Sequence, residues 1–531
     1  MSNHPGHFSR RTFLSWVGAA GGSSAVYQTS VALGLIPGVG VAAPMASLTA
    51  LGPKRRKVAI LGAGISGLAC AYELERAGYD CTVIEASHRI GGRNLTVRRG
   101  DLIDEMGNKQ ICEFDDHPNL YFNAGPARIP AHHNLVLHYC KTLGVALEVF
   151  VNENRHAWVH DSEAFGGTPV RLREYVADAR GFMTELMAKA ISYEDFEAPF
   201  SAEDAERFFL FLRRYGDLDE NDLYHGSARA GYESGGMVAP PVHKQPYDFR
   251  EILKHDFWRS GMHWTAGEDQ AEPMMQAVGG NDNVVRGFVR NIESPILLNA
   301  PVQSIRLRDD GVEVVYAHEG KNRKLDADYC LNSIPRQLIP GIHNNFPADY
   351  LQGMAAVGRG KLMKIGIQMS ERFWEAENIY GGISWTDQPI EQIWYPTHGI
   401  HDKKGVMLGA YVFSSATCSE YARLSPAERL AAAIAQGEKI HPRYADYVDS
   451  GVSVPWHRMN HMMGCTAVWS KETRDRWYAR LQAPEGRHYL MGDQISYHPG
   501  WQEGALSSAH YALADLDKRV QTELRGESVN A

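Results

Sequence analysis

The 531 residues exceed what one hydrophobic core organises, so two large domains are expected. With 44% hydrophobic and 22% charged residues and no biased tract, the composition excludes a disordered chain. The formal charge is 54 − 63 = −9 and no long Lys/Arg run occurs, which excludes nucleic acid and an anionic bilayer as expected partners.

The N-terminus carries Ser9-Arg10-Arg11-Thr12-Phe13-Leu14, followed by a Gly- and Ala-rich stretch to about Ala46 with small residues at Val41, Ala42 and Ala43. It resembles a twin-arginine (Tat) export signal, which implies removal of residues 1–46 and a periplasmic or secreted destination, by a route that carries folded proteins. The other reading, a basic tail before a membrane anchor, is weakened by the glycines and by Tyr27-Gln28-Thr29, which interrupt a membrane-length apolar run. The seven cysteines (70, 81, 112, 140, 330, 418 and 465) form no CxxC pair and no zinc-like spacing; an odd number leaves at least one free thiol or covalent attachment.

Lys57-Val58-Ala59-Ile60-Leu61 is an apolar run of strand length that feeds into Gly62-Ala63-Gly64-Ile65-Ser66-Gly67. Leu68, Ala71, Tyr72 and Leu74 predict a helix up to a stop at Gly78, and Cys81-Thr82-Val83-Ile84 predicts a second strand ending at Glu85. In such a βαβ unit Gly62 permits the tight turn, Gly64 lets the backbone approach a pyrophosphate and Gly67 lets helix and strand pack. Glu85, 18 residues beyond Gly67, can accept both ribose hydroxyls and would repel a 2′-phosphate, which disfavours NADP. Ala86 follows, then Gly91-Gly92-Arg93, a second glycine pair six residues after Glu85.

Further along stand Asn123-Ala124-Gly125-Pro126-Ala127-Arg128-Ile129-Pro130, a Val302-Gln-Ser-Ile segment, and Asp328 to Pro335. Lys364 precedes Trp374 by ten residues, and Lys361, at odd spacing from Lys364, is expected to point the opposite way along a strand. Tyr395 follows Ile393-Trp394; Trp456 precedes Cys465 by nine. His488-Tyr489-Leu490-Met491 reads as a strand delivering Gly492-Asp493, and His498-Pro499-Gly500-Trp501 continues to Ala509 as a helix. His457 and His461 have i, i+4 spacing without the Glu of an HExxH, so no metal is assigned to them, and His132-His133 is read as surface.

In this order, across residues 57 to 516, the motifs resemble the flavin monoamine oxidase superfamily and, within it, the L-amino acid oxidases. The resemblance implies an α/β, two-domain, FAD-binding Rossmann-like fold of the glutathione-reductase type, with an interleaved mixed-sheet substrate domain. Residues near 57–127, 270–335 and 450–520 would build the FAD domain, and 128–269 with 336–449 the substrate domain. FAD would be held by Gly62 to Gly67, Glu85, Ala86, Gly92, Arg93, the Gly125 to Arg128 segment, Val302, Trp456, Asp493, Gly500 and Trp501. The family usually has Glu where Asp493 stands. A cysteine at the position of Cys465 bonds the flavin in mitochondrial amine oxidases, whereas L-amino acid oxidases usually have Gly there and bind FAD without a covalent link; buried thiols also pack as small hydrophobes, and non-covalent FAD is the expectation.

The Gly-Pro-x-Arg element implies that Arg128 grips a substrate carboxylate, as a guanidinium does through two parallel hydrogen bonds. Read alone, an arginine there also suits a salt bridge. Tyr395 and Trp501, after the Gly500 turn, match the aromatic walls of the substrate site, and Lys364 matches the lysine near the reacting end of the flavin; each residue type also occurs as core or as a solvated strand residue. The implied reaction is FAD-dependent oxidation of a large apolar or aromatic L-amino acid by dioxygen to a 2-oxo acid, ammonia and hydrogen peroxide, in a homodimer. A 2-monooxygenase of the tryptophan or phenylalanine type, an amine or polyamine oxidase, and a flavin-holding non-enzyme remain open.

Overall fold

Two sheets of different construction organise the chain, described from a computed structural model that covers residues 45–51, 55–191, 201–259 and 261–526. The expected export signal, residues 1–46, lies outside the described residues apart from Met45 and Ala46. Residues 47–531 form one compact unit.

The first sheet begins where the apolar run predicts, at Lys57–Leu61, buried beyond Lys57 as a strand covered on both faces must be. It continues through the helix Ile65–Arg76 into Asp80–Ile84, which pairs in parallel with Lys57 opposite Asp80 and Leu61 opposite Ile84. The helix gives out at Ala77, and Gly78 (φ +90°) adopts the left-handed conformation a glycine accepts without strain. Two distant segments complete this sheet: Tyr329–Asn332 pairs in parallel with the other edge of Lys57–Leu61, and His488–Leu490 pairs with Cys330–Asn332. The short strand Ile296–Leu297 closes the far edge beside Asp80–Ile84. The chain therefore leaves Leu61 toward one side while a later segment takes the other, a topological switch point of the kind at which parallel sheets bind ligands.

The second sheet has seven strands and is mixed, mostly antiparallel. Next to its edge strand Val448–Pro455 runs Met363–Met369, buried along its whole length between that strand and Gly405–Val412. Outward from Gly405–Val412 follow Gln392–Trp394, Ile383–Thr386, Trp158–His160 and Val170–Arg171, with only the pair Ile383–Thr386 and Trp158–His160 parallel. Strand Val448–Pro455 straddles the boundary expected near residue 450, so the sheet takes in residues assigned to the first domain. A four-stranded sheet containing Val302–Leu307 flanks the first layer, and helices Leu172–Ala190 and Ala202–Gly216 lie in the expected substrate segment. The C-terminal helix starts at Gln502 rather than His498 and runs to Leu524, packing on Ile65–Arg76.

A fully buried ion pair joins the hairpin of strands Leu102–Glu105 and Asn108–Ile111 to a helix that covers the second sheet. Arg429, on Pro426–Gly437, makes two 2.9 Å hydrogen bonds to the Glu105 carboxylate, and the side chains are 1% and 0% exposed. Breaking such a pair strands a buried charge, whereas replacing both groups with apolar ones does not. Glu105→Ala is expected to lower stability by about 3–5 kcal/mol, and Glu105→Leu combined with Arg429→Met to recover most of it. Thermal denaturation of the three proteins checks this, and equal midpoints for wild type and Glu105→Ala would contradict it.

Candidate active site

A cavity of about 490 Å³ opens at the carboxyl ends of the parallel strands, lined from Gly62 near the start of the fold to Ala505 near its end. At one end the fold supplies a dinucleotide cradle. Gly62 has φ +100°, and a Cβ on Gly67 would lie 2.0 Å from the Gly62 carbonyl, so both glycines are required by the turn itself. Nothing lies within 4 Å of a Cβ built on Gly64, because that side faces the cavity. The helix starting at Ile65 has no side-chain cap, which leaves its first N–H groups available to an anion. Ala63 and Gly67 do not line the cavity: the Ala63 N–H donates to Glu85 Oε2 at 2.7 Å and its carbonyl accepts from Gly91 N at 2.8 Å, so it shapes the cradle from behind. Glu85 also accepts from Ser87 N at 2.8 Å and keeps lone pairs for ribose hydroxyls. With Ala86, Gly92, Arg93, Pro126, Ala127 and Val302 on the same walls, the donor set fits FAD.

The middle of the cavity is built on a tethered strap. Four successive carbonyls are each taken by a buried or half-buried donor: Asn123 and Gly125 by Lys364 Nζ (3.3 and 2.6 Å), Ala124 by Trp456 Nε1 (2.9 Å) and Pro126 by Asn281 Nδ2 (2.9 Å). A Cβ on Gly125 would sit 2.0 Å from the Arg93 carbonyl, so the strap passes where only glycine fits. Lys364 lies on Met363–Met369 opposite Tyr411 of the neighbouring strand, with Nζ 4.5 Å from the Tyr411 ring centre. Among the described residues no carboxylate pairs with it, and burial draws its ammonium from the ordinary 10.5 down to about 7. Lys361 points elsewhere, donating to Ser419 Oγ at 2.6 Å.

The strap ends in Arg128, whose guanidinium is buried in an aromatic box. Its Cζ lies 4.7, 5.5 and 5.8 Å from the ring centres of Trp394, Trp501 and Trp264. Nη2 donates to Gln270 Oε1, Nε has no partner, and among the described residues no carboxylate forms an ion pair with it. Burial lowers its pKa to about 10, so it stays charged at neutral pH. Trp501 follows Gly500 (φ +91°), whose N–H donates to Asp493 at 2.7 Å, and is the uncapped start of the C-terminal helix. Arg93 pairs with the Asp493 carboxylate rather than standing free for a diphosphate; burial raises that carboxyl, and the Arg93 guanidinium more than offsets it.

Three sequence readings need correction or completion. Tyr395 is not at the site: its hydroxyl is hydrogen-bonded to Ser384 Oγ (2.7 Å) and His441 Nε2 (2.6 Å) on the far side of the second sheet, in the core that holds Trp374. Side chains alternate along a strand, so Trp394, one residue earlier, faces Arg128 instead, and the phenol in the cavity is Tyr411. Trp264, Gln270 and Phe413, also in the walls, had no sequence signal because long-range pairing alone brings them in. His132-His133 is not simple surface either: His133 is 2% exposed, and both rings meet Asp269. Cys465 lines the cavity with its thiol pKa raised by burial; His461 also lines it, and His457 does not. All seven cysteines are free thiols.

A two-sheet fold with a dinucleotide cradle opening on a cationic, aromatic cavity defines a flavin-dependent oxidoreductase. The model of the flavin-containing amine oxidoreductases matches residues 65–516, and the chain belongs to that family, which implies FAD, small-molecule substrates and dioxygen. The L-amino-acid oxidase of Siganus canaliculatus is 25% identical over 479 residues, spanning 87% of this chain and 85% of that protein; the enzyme of Pseudechis australis is 25% identical over 493 residues, spanning 89% and 88%. Among solved structures, wild-type putrescine oxidase bound to putrescine superposes with TM-score 0.59 at 21% identity over 88% of this chain and 100% of that one. Cyclohexylamine oxidase from Brevibacterium oxydans IH-35A gives 0.58 at 17% identity over 88% and 100%. The chain has the two-domain FAD-binding α/β fold of these neighbours.

Lys364 makes stability depend on pH. Its amine binds fewer protons folded than unfolded between about 7 and 10.5, so the stability of the wild type rises with pH across that window. Lys364→Met lacks this term, and its thermal midpoint relative to wild type is expected to be highest near pH 7 and to fall steadily toward pH 10. A constant difference between the two proteins would refute the lowered lysine.

Proposed function

We propose that this protein is an L-amino acid oxidase acting on large apolar or aromatic substrates, exported by the twin-arginine route and dimeric. The observation that carries the substrate class is Arg128: a buried guanidinium with an unpartnered Nε, no carboxylate ion-paired with it among the described residues, and an open cavity in front. Keeping a charge in an apolar box is costly unless a counter-charge arrives, so the box favours an anionic substrate group over water. An amine lacking a carboxylate has no use for it.

In this reading Arg128 fixes the substrate carboxylate through two parallel hydrogen bonds and thereby the handedness of the α carbon. Trp501, Tyr411, Trp264 and Phe413 exclude water and suit a bulky side chain. FAD, held by the residues from Gly62 to Arg93 with Val302 and Asp493, supplies the two-electron redox chemistry that couples oxidation of a C–H beside nitrogen to reduction of dioxygen. Lys364 Nζ, poised near neutrality, can accept or return a proton at ordinary pH. The imine product hydrolyses to a 2-oxo acid and ammonia. Cys465 is kept protonated by burial, and a thiol is a poor nucleophile, which supports non-covalent FAD.

Arg128→Met is expected to keep its flavin absorbance while kcat/KM for L-phenylalanine falls roughly 30-fold or more, the scale of losing a buried charge partner. Oxygen uptake on a panel of L-amino acids and amines, with product analysis, decides the matter: unchanged amino acid turnover, or turnover of tyramine alone, defeats the proposal, and an amide product makes the enzyme a monooxygenase. Acid precipitation is expected to leave a colourless pellet and all flavin in the supernatant, and a yellow pellet would show a covalent bond.

A further inference from the structure

Next to the cavity walls formed by Trp501 and Gln270, three imidazoles converge on one carboxylate. His132 and His133 occupy the turn between strand Ile129–Pro130 and helix Asn134–Thr142. Their Nε2 atoms lie 2.9 and 3.1 Å from the same oxygen, Asp269 Oδ1, and His498 Nδ1 stands 3.6 Å from Asp269 Oδ2. The ligand atoms of His132, His133 and Asp269 all fall within 4.8 Å of one another. Among the described residues no lysine or arginine forms an ion pair with Asp269; its ion-pair partners are the three histidines. The nitrogens facing that carboxylate are ligand-competent when neutral.

We propose that His132, His133 and Asp269 form a binding site for a divalent transition metal, Zn²⁺ in the first instance, with His498 as the fourth ligand. Two or three imidazoles with one carboxylate are the nitrogen and oxygen donors Zn²⁺ takes in tetrahedral sites, at about 2.0–2.2 Å from each ligand. Hard cations such as Mg²⁺ and Ca²⁺, which demand oxygen ligands, are excluded by the same set. The ion has a way in: the side chains of His132, Asp269 and His498 are 35%, 29% and 49% exposed, while His133 forms the buried floor at 3%.

The position ties the site to the cavity. Asp269 directly precedes Gln270, which holds Arg128, and the His133 ring meets Trp501 edge-on at 5.1 Å and 89°. His498 begins the turn that carries Gly500 and Trp501. A bound ion would join the Asp269–Gln270 segment to the His498–Trp501 segment, bracing two walls of the substrate pocket that sequence separation leaves independent.

The test uses untagged, EDTA-treated and dialysed FAD-loaded protein titrated with Zn²⁺ in a calorimeter, with thermal midpoints measured in parallel. Wild type is expected to bind one equivalent tightly, with a rise in midpoint that EDTA reverses, because a ligand bound only by the native state stabilises it. His132→Ala, partly exposed and tolerant of truncation, and the isosteric Asp269→Asn should each weaken this binding by at least about 10-fold and abolish the rise in midpoint. Binding of equal strength in wild type and both variants would place the metal elsewhere, and absence of a one-equivalent phase in wild type would overturn the proposal. Neither result bears on oxidation of amino acids, which is assayed separately.

Discussion

The structure depends on a strap whose polar atoms have almost no freedom. From Asn123 to Pro126 every carbonyl is claimed, by three donors from distant parts of the chain: the strand lysine Lys364, which takes two, Trp456 and Asn281. A segment fixed at four successive points can carry a charge into an apolar pocket without letting it swing back to water. The tethers explain how Arg128 stays buried among three indoles, with only a neutral amide oxygen accepting from it. They also explain the course of the fold, because Lys364 reaches the strap only if the second sheet packs directly against the first domain's loops.

Burial lowers the pKa of both cations of the cavity, with different consequences at neutral pH. Arg128, drawn down to about 10, keeps its charge at neutral pH; Lys364, drawn down to about 7, sits at the point of losing it. The difference follows from the intrinsic basicity of the groups: delocalised guanidinium tolerates desolvation, and a compact ammonium does not. One buried site therefore holds a permanent cation suited to anchoring and an adjustable one suited to handling a proton. Two permanent charges so close would have repelled each other, and the lowered lysine removes much of that conflict.

Local chemistry made part of this legible from sequence. The cradle from Gly62 to Glu85 was readable because a tight turn, a close backbone approach and a ribose-binding carboxylate each demand a residue type at a fixed spacing. Arg128 and Trp501 were singled out by resemblance to family motifs, the Gly-Pro-x-Arg element and the aromatic after the Gly500 turn, and both line the cavity. Tyr395 was misread because the facing of a strand residue is fixed by pairing and not by its own neighbours: a shift of one residue exchanges Tyr395 for Trp394. Tyr411 lies 47 positions from Lys364 in the chain and opposite it in the sheet, a relation no local pattern encodes. His133 was misplaced for the same reason, since its partner Asp269 lies in a 3₁₀ turn more than a hundred residues away.

Cofactor cradle and substrate pocket share atoms, which limits how far either can change alone. Asp493 accepts from Arg93 on the cradle side and from the Gly500 N–H on the pocket side, so the turn that presents Trp501 is anchored to the arginine of the second glycine pair. Gly125 presses against the Arg93 carbonyl from the strap that ends in Arg128. A substitution that shifts Arg93 is thus transmitted to two walls of the cavity: to Trp501 through Asp493, and to Arg128 through Gly125. Among the described residues the guanidinium at the end of the strap is hydrogen-bonded to Gln270 and not to the cradle arginine, whereas Arg93 is tied to both cavity walls.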